Sequence, residues 1–219
     1  MNNRSSRVLL AIAILVTASL GCNALSALSN RPLLEDNFEG GDSKWGTGTD
    51  TQSSVEYSNG GLHMQIFKEN YFVWSTPDDQ DYQNVHMEVT AINNDTDSTT
   101  TFGLMCNQQA SSDDSFYYFA VTPAGQYAIV RSTVDQDDVF LTNNNEWATS
   151  SLISRNASSY RVGADCANGS LALYVDGQLI ASVSDSSYTT GGVAVFTWSG
   201  LEATSTDMSF DDFLMTSLE

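Results

Sequence analysis

Basic residues are scarce in this chain: eight lysines and arginines face 27 aspartates and glutamates, for a formal net charge of −19 at pH 7. A surface of that sign repels phosphate backbones and anionic lipid head groups, which excludes nucleic-acid partners. The same acidity can attract divalent cations or merely keep an exported protein soluble. Past Pro32 no segment of twelve or more residues sustains a helical apolar period, which excludes a helical bundle. The uncharged apolar run Val8–Leu20 is thirteen residues long, short of the roughly 18 that span a bilayer. Also missing are a Gly-x-Ser-x-Gly elbow, a His-Glu-x-x-His pair, a glycine-rich phosphate loop and a Cys-x-x-Cys pair. Their absence removes the usual serine-hydrolase, metalloprotease, nucleotide-binding and dithiol-redox chemistries.

Cysteine is equally sparse, at three residues. Arg4 and Arg7 precede the Val8–Leu20 run, and basic-then-apolar order is the pattern of a secretory leader. The run stops at Ser19-Leu20-Gly21-Cys22, which resembles the lipobox of bacterial lipoproteins, although Ser19 stands where that pattern usually has leucine. The resemblance implies cleavage after residue 21 and a diacylglycerol on Cys22, anchoring the protein to a cell membrane with its domain extracytoplasmic. Ordinary cleavage with Cys22 incidental is the alternative. Residues 1–21 are thus expected to be a lipoprotein signal peptide, 22–31 a lipidated N-terminus with a short tether, and 32–219 the folded domain. Fully extended, the nine residues from Asn23 to Arg31 reach roughly 30 Å. Losing Arg4 and Arg7 with the leader takes the net charge from −19 to −21. In an oxidising compartment Cys106 and Cys166 are expected to form one disulfide, two buried free thiols being the alternative.

What the chain has in quantity is short alternating runs separated by Asn, Asp, Gly and Ser, the mark of strands and turns. Val55–Tyr57, then Ser58-Asn59-Gly60-Gly61, then Leu62–Ile66 reads as a hairpin with Leu62, Met64 and Ile66 on one face. Val85–Val89 repeats the alternation and puts His86, like His63, on a polar, solvent-facing side rather than in a catalytic or metal role. Further strands are expected at 71–75, 101–107, 116–122, 127–132, 160–165, 171–175, 179–183, 193–198 and 209–215. Phe116-Tyr117-Tyr118-Phe119 is apolar on both faces and suits a central strand. Asn168-Gly169 and Asp176-Gly177 are hairpin turns, the second pairing Leu173 with Ile180 and Tyr174 with Leu179. That register leaves Tyr174 open as core or ligand face. A dozen short strands at this spacing predict one all-β domain, a two-sheet antiparallel β-sandwich or barrel.

The stretch from Leu171 to Phe196, LALYVDGQLIASVSDSSYTTGGVAVF, is similar to the concanavalin A-like lectin/glucanase superfamily. It resembles in particular the exported bacterial jelly-roll domain labelled 3-keto-disaccharide hydrolase or domain of unknown function. Asp36-Asn37-Phe38 with Trp45, Phe102–Cys106, Ser115–Phe119, Trp147 before Tyr160-Arg161-Val162, and Phe210-Asp211-Asp212-Phe213 follow in that family's order. The resemblance implies a jelly roll over about Leu34–Met215 and sharpens the sandwich expectation to that form. It also implies a calcium near the chain ends, as in many sandwich lectins, with Asp36 and Asp211 as candidates; no other cofactor is expected. Asp135-Gln136-Asp137-Asp138 and Asn94-Asp95-Thr96-Asp97 are acidic loops that can hold calcium or simply be solvated. The family's glucanases carry Glu-x-Asp-x-x-Glu or Glu-x-Asp-x-Glu on one strand, and this chain has neither. Only Glu35-Asp36-Asn37-Phe38-Glu39 comes close, and it suits a first strand paired with Phe210–Phe213. A 3-keto-glycoside lyase would need a cluster of His, Glu and Asp that the sequence does not display. Trp74, Tyr118, Trp147, Tyr174 and Trp198 are candidates for stacking on sugar rings, with filling of the core as the alternative for each. The expectation is a membrane-anchored, non-catalytic, lectin-like module that binds carbohydrate or another polymer at the cell surface. A glycoside-cleaving enzyme and a structural or protein-binding envelope component are the alternatives.

Overall fold

Three Asn-Gly or Asp-Gly turns set the registers from which the sandwich is built. Asn59-Gly60, Asn168-Gly169 and Asp176-Gly177 all have positive φ, at 54° and 78°, 51° and 75°, and 51° and 74°. Two left-handed residues in succession make the type I′ turn, whose twist matches that of the strands it joins. The computed structural model describes residues 31–39, 44–95, 97–111, 115–201 and 205–218. The expected leader, Cys22 and most of the tether fall outside them.

The described residues form an all-β sandwich of two antiparallel sheets. In spatial order the first sheet carries β14 (Gln178–Ser184), β13 (Ser170–Val175), β12 (Ser159–Ala167), β6 (Val85–Asn93), β16 (Thr206–Ser217), β4 (Gly61–Ile66), β3 (Ser53–Ser58) and β2 (Gly48–Thr49). Its ninth strand, β1 (Leu34–Asp36), lies on β16. The second sheet runs β10 (Val139–Phe140), β9 (Gln126–Ser132), β8 (Phe116–Val121), β7 (Thr101–Gln108), β15 (Gly192–Trp198) and β5 (Phe72–Ser75). Its seventh strand, β11 (Ala148–Thr149), also pairs with β9. The chain passes to the second sheet for β5, returns for β6, crosses again for β7 to β11, returns for β12 to β14, and crosses once more for β15 before β16.

Alternation decides which side chains meet between the sheets. Leu62, Met64 and Ile66 of β4 are wholly buried, as their spacing predicts, alongside Met87 and Val89 of β6. They face Phe102 and Leu104 of β7, Tyr117 and Phe119 of β8, and Val195 of β15 in one cluster. The Cys106–Cys166 disulfide joins β7 to β12 across this core, with both cysteines buried.

The termini close through a bulge. Phe210 and Phe213 sit three apart yet both point inward, because Asp212 takes φ 49° and β16 shifts register between Asp211 and Leu214. Asp36 pairs with Phe213, so β1 meets β16 at Phe213–Met215, slightly beyond the expected Phe210–Phe213. The Trp45 indole stands edge-on to Phe213, ring centroids 4.9 Å apart.

The Asp176-Gly177 hairpin departs from a strict two-residue ladder. Tyr174 pairs with Leu179, but a bulge pairs Leu173 with Ala181 and leaves Ile180 as the extra residue. Extra residues of this kind increase local twist, and β14 is the edge strand where that is tolerated.

Replacing Cys106 and Cys166 by alanine is expected to lower stability by about 4 kcal/mol, the loop-closure entropy released when a 60-residue link is cut. Urea unfolding of the oxidised protein and the double variant measures it.

Candidate functional site

The outward face of the seven-stranded sheet is apolar as well. Phe72 and Trp74 on β5, Phe116 and Tyr118 on β8, and Phe196 and Trp198 on β15 are aromatic pairs spaced two apart, so each pair emerges on one face. The registers bring them side by side: Trp74 lies opposite Phe196 and Phe72 opposite Trp198. Beneath them the sheet is made of small residues, Gly103 opposite Ala120 and Ala120 opposite Ala128. A Cβ at Gly103 would collide with the Phe119 carbonyl oxygen and lie 3.2 Å from the Phe196 ring, so glycine is required by close approach there. Phe72 stacks on Phe196 at 4.8 Å, and Tyr118 stands edge-on to Phe196 at 5.5 Å and to Phe72 at 5.9 Å.

The far wall comes from the segment after β9. Asn143, Asn144 and Asn145 all adopt positive φ, and the Asn143 amide donates to the Trp147 carbonyl at 2.7 Å. The Asn145 side-chain oxygen accepts the Phe140 N–H at 2.8 Å. This folds Trp147 against Phe140, rings 5.7 Å apart and T-shaped.

These rings line a cavity of about 570 Å³, which also takes in Asn70, Thr101, Ser132, Asp135, Gln136 and Asp138. Four of the five aromatics nominated from the sequence, Trp74, Tyr118, Trp147 and Trp198, thus converge on one groove. A second cavity of about 460 Å³ shares Trp74 with it, and a third of about 230 Å³ shares Thr101, Trp147 and Trp198. Asp138 accepts the Tyr118 hydroxyl at 2.8 Å. Burial, then the Asp138 charge and its hydrogen bond, push the Tyr118 pKa far above the ordinary tyrosine value, so this hydroxyl remains a donor. Phe72, Phe116, Phe140 and Phe196 complete the walls without having been candidates; the two-apart aromatic spacing in β5, β8 and β15 marks Phe72, Phe116 and Phe196, and no such spacing marks Phe140 on β10.

Tyr174 is not brought to the groove. It lies on the outer face of the other sheet, where its hydroxyl donates to Asp165 at 2.8 Å and its ring stands edge-on to His86. The hydrogen bond to Asp165, with burial, pushes its pKa up to about 12. His86 itself is bonded to Asp165 at 2.6 Å and lies 3.2 Å from Glu88. His63 bonds Asp207 at 2.7 Å. The polar-face placement of both histidines holds, but neither is freely solvated: their side chains are 25% and 17% exposed. Alternation assigned the face, whereas the partner carboxylates arrive from β12 and β16.

The two carboxylates offered for calcium near the chain ends, Asp36 and Asp211, already accept hydrogen bonds. Asp36 accepts the Phe38 N–H at 2.8 Å with one oxygen and the Trp45 indole N–H at 3.1 Å with the other. Asp211 accepts the Asp212 N–H at 2.7 Å. In the Asn94–Asp97 loop, Asp97 accepts the Thr99 N–H and hydroxyl, each at 2.7 Å. Among the described residues no group of three or more His, Cys, Asp or Glu is placed to hold a metal ion. The N–H groups that Asp36 accepts serve the packing of Trp45.

Glycoside hydrolysis by either common mechanism requires two carboxyl groups flanking the scissile bond. No strand of the seven-stranded sheet contains Asp or Glu. The carboxylates lining the groove among the described residues are Asp135 and Asp138, both from the β9–β10 loop on one side.

Against solved structures the similarity is one of shape. A family 66 carbohydrate-binding module from Bacillus subtilis matches with a TM-score of 0.61 at 12% identity, over 80% of this chain and 96% of that one. A β-glucanase from Bacillus licheniformis matches at 0.59 and 13%, over 87% and 100%. The catalytic domain of an endo-1,3-β-glucanase (laminarinase) from Thermotoga petrophila RKU-1 matches at 0.56 and 10%, over 84% and 96%. The chain has the concanavalin A-like jelly-roll fold. No protein-family model and no curated protein sequence matches it. The jelly roll therefore supplies the scaffold, and the aromatic groove must speak for the activity.

The His86–Asp165 pair makes stability depend on pH. The Asp165 hydrogen bond, helped by Glu88 and opposed by burial, raises the folded His86 pKa above 6.5. Its contribution is complete below the unfolded value and is lost as pH rises through the folded one. For Asp165, burial alone would raise the pKa, but the bonds from His86 and Tyr174 outweigh it and the net shift is downward. Its contribution is therefore lost as pH falls through the lowered value. Urea unfolding midpoints at about pH 5.5 and 8.5 are expected to favour the acidic side for this pair, with the difference reduced in His86→Gln.

Proposed function

We propose that this protein is a non-catalytic carbohydrate-binding module presented outside the cell on a lipid anchor. The observation that carries the reading is the groove on the seven-stranded sheet, walled by eight aromatic rings and lacking a carboxylate pair across it. Flat apolar rings stack on the C–H faces of sugars, and the Thr101, Ser132, Gln136 and Asn70 side chains can orient hydroxyl groups. Fold neighbours that include a carbohydrate-binding module and glucanases support a sugar ligand. The glycoside-cleaving alternative finds less support. Its nearest acidic motif, Glu35-Asp36, lies on β1 of the opposite sheet, with Asp36 committed to Trp45.

Titration calorimetry of the full chain in detergent against a broad glycan panel is expected to find ligands. Trp74→Ala or Trp198→Ala should weaken them at least tenfold, about 1.4 kcal/mol. Tyr174→Phe should leave affinity unchanged, and so should a calcium chelator. Silence across the panel, with a protein partner captured by crosslinking, would replace this reading with a structural role in the envelope.

The anchor rests on Arg4, Arg7, the Val8–Leu20 run and the lipobox-like Ser19–Cys22. Cys22→Ser is expected to move the protein from the membrane fraction to the soluble fraction; retention on the membrane would remove the lipid from the proposal.

A further inference from the structure

Resting on the carbohydrate reading, the charge around the groove narrows the class of sugar. We propose that the groove selects glycans bearing free amino groups, of the glucosamine-polymer type, over neutral and anionic chains.

Three independent features converge on this. The walls are aromatic, and the faces of Trp74, Tyr118, Trp147 and Trp198 attract cations through the ring quadrupole. The charged side chains on the described lining are Asp135 and Asp138 alone. No hydrogen bond or ion pair within the described residues takes up the Asp135 carboxylate, and Asp138 spends one oxygen on the Tyr118 hydroxyl. An ammonium beside these groups would gain both a ring face and a carboxylate without displacing an internal partner.

The basic residues complete the argument. None of the six beyond the leader lines the groove. Arg131, the cation on the nearest strand, is turned toward Asp185 at 2.6 Å and Ser187 at 2.8 Å. A uronate or sulfate would meet two carboxylates and no counter-charge. A net charge of −21 after leader removal adds a general field that draws cations toward the domain. That field cannot by itself place a sugar in the groove, so the aromatic walls must be shown to matter too.

The test compares oligomers of equal length made of glucosamine, N-acetylglucosamine, glucose and galacturonate, binding the full chain in detergent. The glucosamine oligomer is expected to bind at least tenfold tighter than its N-acetylated counterpart, and the galacturonate oligomer not at all. Asp135→Asn should reduce that preference, and Asp135→Asn with Asp138→Asn should erase it. Asparagine at 138 keeps an oxygen for the Tyr118 hydroxyl, and near-ultraviolet circular dichroism checks the packing. Trp74→Ala, with unchanged net charge, should weaken every oligomer; amine binding that survives it would be surface electrostatics and overturn the proposal. Equal affinity for the glucosamine and glucose oligomers, or a preference that survives both Asn changes, would overturn charge selection while leaving a sugar site intact. No binding by any oligomer would overturn the selection and the carbohydrate reading together.

Discussion

A seven-stranded sheet with apolar side chains on both faces can bury only one of them against a partner sheet. Here the inner face, with Phe102, Phe119 and Val195, goes to the nine-stranded sheet. The outer face, with Met105, Ala120, Ala128, Val130 and Ala194, must be covered some other way. The rings of Phe72, Trp74, Tyr118, Phe140 and Trp147 fold over it, and they keep those five residues from water. Covering a face with rings rather than a third layer leaves a ring-lined trough, a concave apolar surface of the sort that receives ligands. The same constraint thus produces both the second small core and the site.

The opposite face of the molecule solves a different problem. The outer side of the nine-stranded sheet carries Arg161 and both histidines, each placed among carboxylates. Arg161 reaches Glu88, the Thr90 hydroxyl and the Asp212 carbonyl, binding β12 to β6 and to the bulge of β16. His86 bridges Asp165 and Glu88, and His63 takes Asp207. These partly exposed pairs are each worth little alone, but they tie together strands whose inward faces already pack. One sheet therefore has a polar outer face and the other an aromatic, grooved one, a division that follows from which residues alternate with the common core.

Much of the scaffold could be read from local pattern. The Leu62, Met64 and Ile66 stripe, the Asn59-Gly60 and Asp176-Gly177 turns and the doubly apolar Phe116–Phe119 segment act over a few residues, where period and turn chemistry decide. The family-like markers at the two ends turned out to be one device. Asp36 receives the Trp45 and Phe38 N–H groups, and Trp45 packs on Phe213, so motifs separated by the whole domain form a single closure. What stayed hidden was cross-strand partnership: the bulge that moves Leu173 from Ile180 to Ala181, and the aspartates that reach each histidine.

The groove shows the same boundary. Side-chain spacing placed Trp74, Tyr118 and Trp198 on strands, and composition made them candidates for stacking. It did not separate them from Tyr174, which has the same chemistry on the other sheet. The sequence by itself determined the longer strands, the hairpin turns, the sparing use of cations and the leader-like start, because each depends on neighbours a few residues away; the two-residue strands β2, β10 and β11 were not among those expected. Only the tertiary structure decided that four distant aromatics share one trough, that Tyr174 instead holds Asp165, and that Asp135 and Asp138 are the charges at its edge. The reason is that a strand's alternation defines two faces, while which face becomes core is chosen by the sheet packed against it.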